Sequence, residues 1–424
     1  MIRKLLLLLS AVLILCSSLI SCKGEDTPTA DYVTIRTSLS LTNLQAYGTL
    51  LSEFSKSNTD IIIRDKSTTP SDAYKLGLSL PQTYGQENSP DIIFTDTASL
   101  GDSVMENFAA IDEIRATYPD FAGSIHPFAI ACLSGGRVPA AVPVGGKFLS
   151  LFASRKLVAE ADMPKMWEEV TALSQKLSGD GVNLFSGDEQ SVILLFEQLC
   201  VQTTGKSVAH NKPSEEWLSA LRMIDELAKA SAFSNSAEDR FAQFNSGKIA
   251  MVFSDNQSLS GITDKDSTVC VFLPSIGGSG EKIMRCTYES GLLITKKAME
   301  DGKKSGAVIA LADYLLSDTN LPKLCEEEEY SALSAKEDAS ALEKSIDLAM
   351  REATKVVPSE FTGKTDFGSW SDVGEHLSEL IGGLSTPEQA LELIMNPEKT
   401  LSDLLVVSNT DLALPEGTTD NTTD

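Results

Sequence analysis

Hydroxyl, amino and carboxylate side chains stand directly after three apolar runs in the first part of the chain. If those runs are strands of an open α/β sheet, a ligand binds in the crevice beyond their carboxyl ends. Such groups can exchange hydrogen bonds with a hydroxylated solute. Any one of them is better explained as a turn or helix cap, because Ser, Thr and Asp favour those positions. As a set, they indicate the edge of a binding site. The residues are Ser38, Ser40, Lys66, Ser67, Thr95, Asp96 and Thr97.

Patterns typical of catalysis are scarce. The chain has three histidines and contains neither His-Glu-x-x-His nor Gly-x-Ser-x-Gly. Thr204–Ser207 resembles the end of a phosphate-binding loop, but Cys200 stands where the first glycine is required, so we reject that interpretation. The acidic run Glu326–Glu329 is typical of a solvated surface rather than a metal site. We therefore expect no catalytic residue, no metal and no cofactor. Residue types alone leave a two-carboxylate glycoside hydrolase open as an alternative.

Apolar periodicity predicts the elements that position the polar groups. Strands are predicted at Tyr32–Thr37, at Ile61–Ile63 and at Pro90–Phe94, with helices over Leu44–Phe54 and Ala73–Leu80 between them. Continuous apolar strands that alternate with helices indicate a parallel sheet covered on both faces.

The second part of the chain continues with helices and strands. Trp167 and Trp217 fall on helix faces and are interpreted as core residues. Thr386, Pro387 and Gln389 have the spacing of a helix start, with an N-cap, a first-turn proline and a capping box. The predicted strands are Ile249–Phe253, Val269–Leu273 and Leu292–Ile294. The predicted helices are Trp167–Leu177, Ser191–Leu199, Glu215–Lys229, Ala307–Leu316, Ala341–Met350 and Val373–Ile381.

The N-terminus has the charge and apolar order of a secretory signal. Arg3 and Lys4 precede the apolar run Leu5–Leu15, which is short for a membrane span. The run leads to Leu19–Cys22, which resembles a bacterial lipobox. The resemblance implies a signal peptide over residues 1–21 and a lipid anchor on Cys22; an ordinary signal peptide with an unmodified Cys22 is the alternative. Residues 22–31 are expected to form a flexible tether and residues 409–424 a disordered tail.

Net charge, length and cysteine spacing exclude some partners and indicate the number of domains. The net charge of −25 makes nucleic acid a poor partner, since phosphate binding needs a basic surface. The length calls for two domains. Beyond Cys16 and Cys22, five cysteines remain without a Cys-x-x-Cys spacing. They predict neither a disulfide framework nor a zinc site, although an oxidising compartment leaves one bridge open.

Five segments in chain order resemble the extracellular solute-binding proteins of sugar-type ABC importers, the family that includes maltose-binding proteins. Gly247 would permit the left-handed turn into the strand that follows it. Met166 departs from the pattern, because the family has a capping Thr or Ser there. The segments are Pro90–Phe94, Gly136–Pro143, Met163–Val170, Phe244–Met251 and Ser369–Leu391.

The resemblance implies a periplasmic-binding-protein-like fold, with two α/β lobes, hinge crossings and a ligand cleft between the lobes. Crossings are expected near Pro143–Lys147, Glu289–Leu292 and Leu333–Ala335. The first lobe would comprise residues 32–143 and 290–333, and the second lobe residues 144–289 and 334–408.

The resemblance also implies ligand-binding residues. Trp370 matches the stacking tryptophan of the second lobe, although packing between two helices is an equal alternative. Thr95 stands where the family often has an aromatic residue, and aromatic residues are only 6% of the chain, which disfavours a long oligosaccharide. The other residues implied are Lys147, Phe148, Ser254, Asp255, Asn256, Tyr288 and Glu289.

The expected function is therefore that of an extracytoplasmic receptor, monomeric and lipid-anchored to the cell membrane. It would deliver a monosaccharide, small saccharide or other small polar solute to an ABC permease. A surface lipoprotein that uses the same fold as a sensor or adhesin remains the alternative.

Overall fold

The computed structural model describes residues 33–39, 44–67, 89–97, 100–205, 214–255, 257–276, 280–325, 330–357, 364–365 and 368–404. The segments predicted as a signal peptide, a tether and a C-terminal tail lie outside these residues, as do Cys22, Ser40, the helix predicted at Ala73–Leu80 and Asn256. The same holds for the side chain of Trp370.

The strands and helices are numbered separately in chain order. The strands are β1 Val33–Leu39, β2 Ile61–Asp65, β3 Ile92–Asp96, β4 Ala141–Pro143, β5 Gly145–Ser154, β6 Phe185–Ser186, β7 Phe233–Ser234, β8 Met251–Asp255, β9 Thr268–Val271, β10 Ile283–Thr287, β11 Ser290–Ile294, β12 Tyr330–Ser331, β13 Lys355–Val357, β14 Lys364–Thr365 and β15 Gly368–Ser369. The α-helices are α1 Leu44–Ser57, α2 Asp102–Met105, α3 Ile111–Thr117, α4 Pro127–Ser134, α5 Trp167–Gly179, α6 Glu189–Thr204, α7 Trp217–Lys229, α8 Arg240–Asn245, α9 Lys296–Glu300, α10 Gly302–Leu315, α11 Leu321–Leu324, α12 Ala341–Glu352, α13 Trp370–Ile381 and α14 Pro387–Met395.

The first sheet has the strand order β2-β1-β3-β11-β4. Strands β1, β2 and β3 are parallel, as the alternation of strands and helices predicts. Strand β11 differs from that prediction, because it is antiparallel to both of its neighbours, β3 and β4. The reason is the path of the chain: β4 leaves this sheet at Pro143, and β11 re-enters it from the opposite direction. We call this sheet and the helices packed on it lobe 1.

The second sheet is built around the ten-residue strand β5, which pairs with β12, β10, β8 and β9. On one face of this sheet a core contains the buried side chains of Trp167 and Trp217, as the helix periodicity predicts. Helix α13 packs against α6, and α14 packs against α7. Helix α12 packs against β9. This sheet with its helices is lobe 2.

The lobes are joined where strands run directly from one sheet into the other. Only Val144 separates β4 from β5, and only Tyr288 and Glu289 separate β10 from β11. The chain directly after β12 adjoins the first of these crossings, because the amide of Ala332 donates to the carbonyl oxygen of Val144 at 2.9 Å. One apolar core runs through this region, from Ile35 in β1 to Ile346 in α12. Among the described helices, none is long and apolar enough to cross a membrane.

The helix cap at Thr386 and the left-handed turn at Gly247 form as the sequence predicts, whereas the start of α5 lacks a side-chain cap. Thr386 caps α14, accepting a hydrogen bond from the amide of Gln389 at 3.3 Å, and Gly247 has φ +76°. Met166 makes no side-chain cap for α5. Instead, the Glu169 carboxylate accepts hydrogen bonds from the amides of Lys165, at 2.7 Å, and Met166, at 3.3 Å. These bonds lower the pKa of Glu169, and they tie the residues that precede α5 to its first turn.

Candidate functional site

The end of β3 is fastened to the second crossing. The amide of Thr97 donates to the carbonyl oxygen of Glu289 at 2.8 Å, and the Thr97 hydroxyl donates to the same oxygen at 3.2 Å. One residue earlier, Asp96 lies opposite Ser290 in the sheet, and Asp96 is half-buried. Thr95 lies opposite Gly291, so all three polar residues predicted at the end of β3 lie beside the expected crossing Glu289–Leu292.

Tyr288 fills the crossing itself. Its side chain is only 9% exposed, and a Cβ atom at Gly146 would lie 2.5 Å from Tyr288 Cε1. The ring therefore packs flat on the start of β5, where any larger residue would displace it. Burial raises the pKa of Tyr288, and the nearby thiols of Cys286, Cys132 and Cys325 raise it further. The phenol stays neutral and can act as a hydrogen-bond donor.

Lobe 2 brings its own polar residues to the same end. Lys147 lies opposite Thr287, and Leu149 lies opposite Asp255. The carboxyl ends of β8 and β10 therefore converge with the amino end of β5. Asp255 is half-buried and accepts a hydrogen bond from the amide of Ser258 at 2.9 Å. This edge is the lobe 2 counterpart of the edge formed by β1 and β3.

A second polar group in lobe 2 surrounds the start of α6. The Arg240 side chain is 9% exposed; its guanidinium donates to the Gln190 side-chain oxygen and lies 3.9 Å from Asp188 Oδ1. Its Nε atom is buried and has no hydrogen-bond partner among the described residues. Such a buried donor costs free energy unless something accepts its proton.

Helix α13 lies directly beside this group. Gly374 leaves no room for a Cβ atom, because Glu189 at the start of α6 occupies that space. Trp370 is the first residue of α13, one helical turn before Gly374. The helix start that carries Trp370 and the Arg240 group therefore lie at the same end of lobe 2.

A cavity of about 170 Å³ opens at the second crossing. Thr97 and Tyr288 line it together with Arg137, whose Nε atom lies 3.0 Å from Asp102 Oδ1. Ligand sites usually enclose roughly 300–1,000 Å³. This smaller cavity is therefore either part of a larger site or a site for a small solute. Arg137 and Arg240 were not identified as site residues from the sequence. Arg137 lies in Gly136–Pro143, one of the segments that resemble the family, and its positive charge was the signal that could have marked it as a site residue.

A larger cavity of about 490 Å³ lies elsewhere on lobe 2, between α12 and the loop after β9. Phe272, Lys282 and Leu348 help to line it, and it contains none of the residues expected to bind ligand. Because Thr97, at the end of β3, and Tyr288, in the chain segment that joins the lobes, both line the smaller cavity, we take the second crossing as the candidate site.

Three of the residues expected to bind ligand are instead buried or hydrogen-bonded within the fold. Phe148 is 2% exposed and packs edge-on against Tyr330, with ring centroids 5.2 Å apart. Ser67 joins β1 to β2, because its hydroxyl accepts from the amide of Leu39 at 2.8 Å and donates to Asp65 at 2.5 Å. Ser38 is 3% exposed, inside lobe 1. Their surfaces and hydroxyls serve the fold, so we leave these three out of the site proposed below.

The comparisons with known proteins agree with this architecture. Residues 50–349 match the family model of bacterial extracellular solute-binding proteins. No curated protein sequence matches the chain. Within the described ranges, no group of three or more His, Cys, Asp or Glu side chains converges as metal binding requires.

Several solved structures share the fold. The bacterial solute receptor AcbH, described as having an exclusive substrate preference for β-D-galactopyranose, has a TM-score of 0.55 at 14% identity, covering 88% of this chain and 99% of that one. A protein from Streptomyces coelicolor, named as a probable secreted solute-binding lipoprotein, has a TM-score of 0.52 at 14% identity, covering 87% and 99%. A family 1 extracellular solute-binding protein from Bifidobacterium longum subsp. infantis has a TM-score of 0.51 at 17% identity, covering 86% and 98%. These likenesses confirm the predicted two-lobed α/β fold.

Proposed function

Because the chain belongs to the family of bacterial extracellular solute-binding proteins, we propose that it binds a small saccharide and delivers it to the permease of an ABC importer. The observation that carries this proposal is the meeting of polar strand ends from both lobes at one crossing. Thr97 and Asp96 come from lobe 1, and Lys147 and Asp255 from lobe 2.

Binding follows from hinge geometry. A solute between the lobes makes its full set of contacts only when the lobes close, so it shifts the open–closed equilibrium toward the closed form. The crossings at Val144 and at Tyr288–Glu289 are short, so small backbone rotations there move whole lobes. The membrane partner then recognises the closed form.

A small saccharide suits the side chains better than a long one. Sugars are held by aromatic faces against their C–H groups and by polar side chains against their hydroxyls. Tyr288 is largely buried, which leaves Trp370 as the proposed stacking platform. One platform supports one or two sugar rings, in keeping with the single-sugar preference described for AcbH.

Anchoring completes the proposal. Lipid on Cys22 would hold the receptor at the outer face of the cell membrane, with residues 22–31 as a tether and the body acting as a monomer. Stable anchoring takes more than one acyl chain, which a lipobox cysteine provides. Growth in radiolabelled palmitate tests this directly: label should enter the wild type and not Cys22→Ser.

A calorimetric and thermal-shift panel of monosaccharides, disaccharides, polyols and oligopeptides tests the function. We expect one sugar to bind with one site per chain and to raise the melting temperature. At roughly 100 times its Kd a ligand adds about 2.7 kcal/mol to the free energy of unfolding. Absence of any shift would favour the adhesin alternative, and hydrolysis of a glycoside by the purified protein would favour the hydrolase.

A further inference from the structure

Two cysteine thiols from different lobes touch beside the second crossing. The Sγ atoms of Cys132 and Cys286 lie 3.9 Å apart, although 154 residues separate them in sequence. Cys132 is on α4 of lobe 1 and Cys286 is on β10 of lobe 2, two residues before Tyr288. The contact therefore spans the hinge, and Leu133 and Tyr288, which lie within two residues of the cysteines in the chain, line the candidate cavity.

The two thiols differ in access. Cys286 is 3% exposed, whereas Cys132 is half-buried. The hydrogen bond with Cys132 and burial both raise the pKa of the Cys286 thiol. An external oxidant can therefore reach Cys132 first, and Cys286 reacts second and slowly because little of it is thiolate at neutral pH.

We propose that Cys132 and Cys286 form a disulfide in the oxidising extracytoplasmic environment, and that this bond restrains the hinge. The restraint rests on the proposed function, because it matters only if the lobes move. The oxidant is a second, external disulfide, such as oxidised glutathione, which reacts by thiol–disulfide exchange. The Cys132 thiolate attacks one of its sulfurs and expels the first thiolate; the Cys286 thiolate then attacks the Cys132 sulfur and expels the second. Two protein thiols are oxidised, one disulfide is reduced to two thiols, and the protons pass to the leaving thiolates.

The geometry needs only a local adjustment. A disulfide brings its sulfurs to about 2.05 Å, so the sulfurs must approach by roughly 2 Å. Side-chain rotation of the half-buried Cys132 can provide this approach. Cys325 is the nearby rival: its thiol donates to the carbonyl oxygens of Val144 and Leu321, each at 3.5 Å.

Peptide mapping of the purified chain tests the bond. The protein is exposed to oxidised glutathione at pH 8, also during refolding from urea, then alkylated and digested without reductant. We expect a linked pair of peptides containing Cys132 and Cys286, absent from Cys132→Ser and retained in the matched control Cys325→Ser. Two alkylated thiols at these positions after both treatments, or a bond to Cys325 instead, would overturn the proposal.

The restraint on the hinge has its own readout that needs no sugar. The oxidised wild type should melt about 5–15 °C above the reduced form, since a bond that closes a long loop constrains the unfolded chain. Amide hydrogen exchange at residues 141–147 and 286–291 should slow at least tenfold, and Cys132→Ser should show neither change. If the disulfide is mapped but amide hydrogen exchange at these residues does not change, the bond exists and does not restrain the hinge. Failure of the sugar panel would refute the proposed function without touching the mapped bond.

Discussion

Arg285 and Glu197 form a two-pronged ion pair inside lobe 2. The distances are 2.7 Å between Nη1 and Oε2 and 2.5 Å between Nη2 and Oε1, and both side chains are at most 1% exposed. Arg285 belongs to β10, the strand that leads into the second crossing. Burial raises the pKa of Glu197, and the Arg285 charge opposes that shift.

Removing one partner of this pair should destabilise the fold. Arg285→Met leaves the Glu197 carboxyl buried without its cation, at a cost of about 3–5 kcal/mol in the free energy of unfolding. The double variant Arg285→Met/Glu197→Leu should recover most of this loss, because it removes both buried charges. Urea unfolding measures the difference. Equal losses in the single and double variants would mean that packing, not charge, is responsible.

The buried His126 should make stability depend on pH. Its side chain is 2% exposed, and its Nδ1 atom accepts a hydrogen bond from the amide of Phe128 at the start of α4. Burial lowers the pKa of His126 below 6.5. The Asp347 carboxylate, whose Oδ1 atom lies 3.5 Å from His126 Nε2, opposes that shift, whereas the charge of Arg351 lowers the pKa further.

The sign follows from proton uptake. Below pH 6.5 the unfolded chain binds a proton at this histidine before the folded chain does, so stability is complete above that pH and falls as the pH drops. The fall is at most about 1.4 kcal/mol per pH unit. His126→Asn keeps a capping oxygen and cannot titrate, so its unfolding free energy should change less between pH 7.5 and 5.5. An identical slope in wild type and variant would contradict the assignment.

The Thr97 hydroxyl should matter for both stability and binding. Thr97→Val preserves shape but removes the hydrogen bond to the Glu289 carbonyl oxygen, at a cost of about 1 kcal/mol. We also expect roughly tenfold weaker binding of the sugar found in the panel, because Thr97 lines the cavity. Thr97→Ser is the matched control and should bind as the wild type does. Calorimetry decides, and unaltered affinity in Thr97→Val would remove Thr97 from the site.

Trp370 and Trp217 should behave oppositely when changed to alanine. Trp217 is 1% exposed and packs edge-on against Phe196, so its loss should cost about 3–5 kcal/mol of stability. Trp370→Ala should weaken sugar binding at least tenfold and leave the melting temperature of the ligand-free protein within about 2 °C. A large drop in that temperature for Trp370→Ala would assign Trp370 to the core and leave the stacking platform to another residue.

The sequence by itself determined the elements whose signals are local. The capping box of Thr386 and Gln389, the left-handed turn at Gly247 and the core positions of Trp167 and Trp217 follow from residues within a few positions of each other. Strand and helix bounds shift by a few residues, because element ends depend on contacts that no local pattern contains. The five motifs in chain order were enough to indicate the family.

Only the tertiary structure decided which polar groups meet. Thr97 and Glu289 are 192 residues apart in sequence, and they meet because β11 returns beside β3. The same sheet order buries Phe148 against Tyr330, commits the Ser67 hydroxyl to Asp65, and brings the thiols of Cys132 and Cys286 into contact. Hydrophobic periodicity specifies which face of an element is buried, but the neighbour across that face is set by strand pairing between distant segments, which periodicity does not encode.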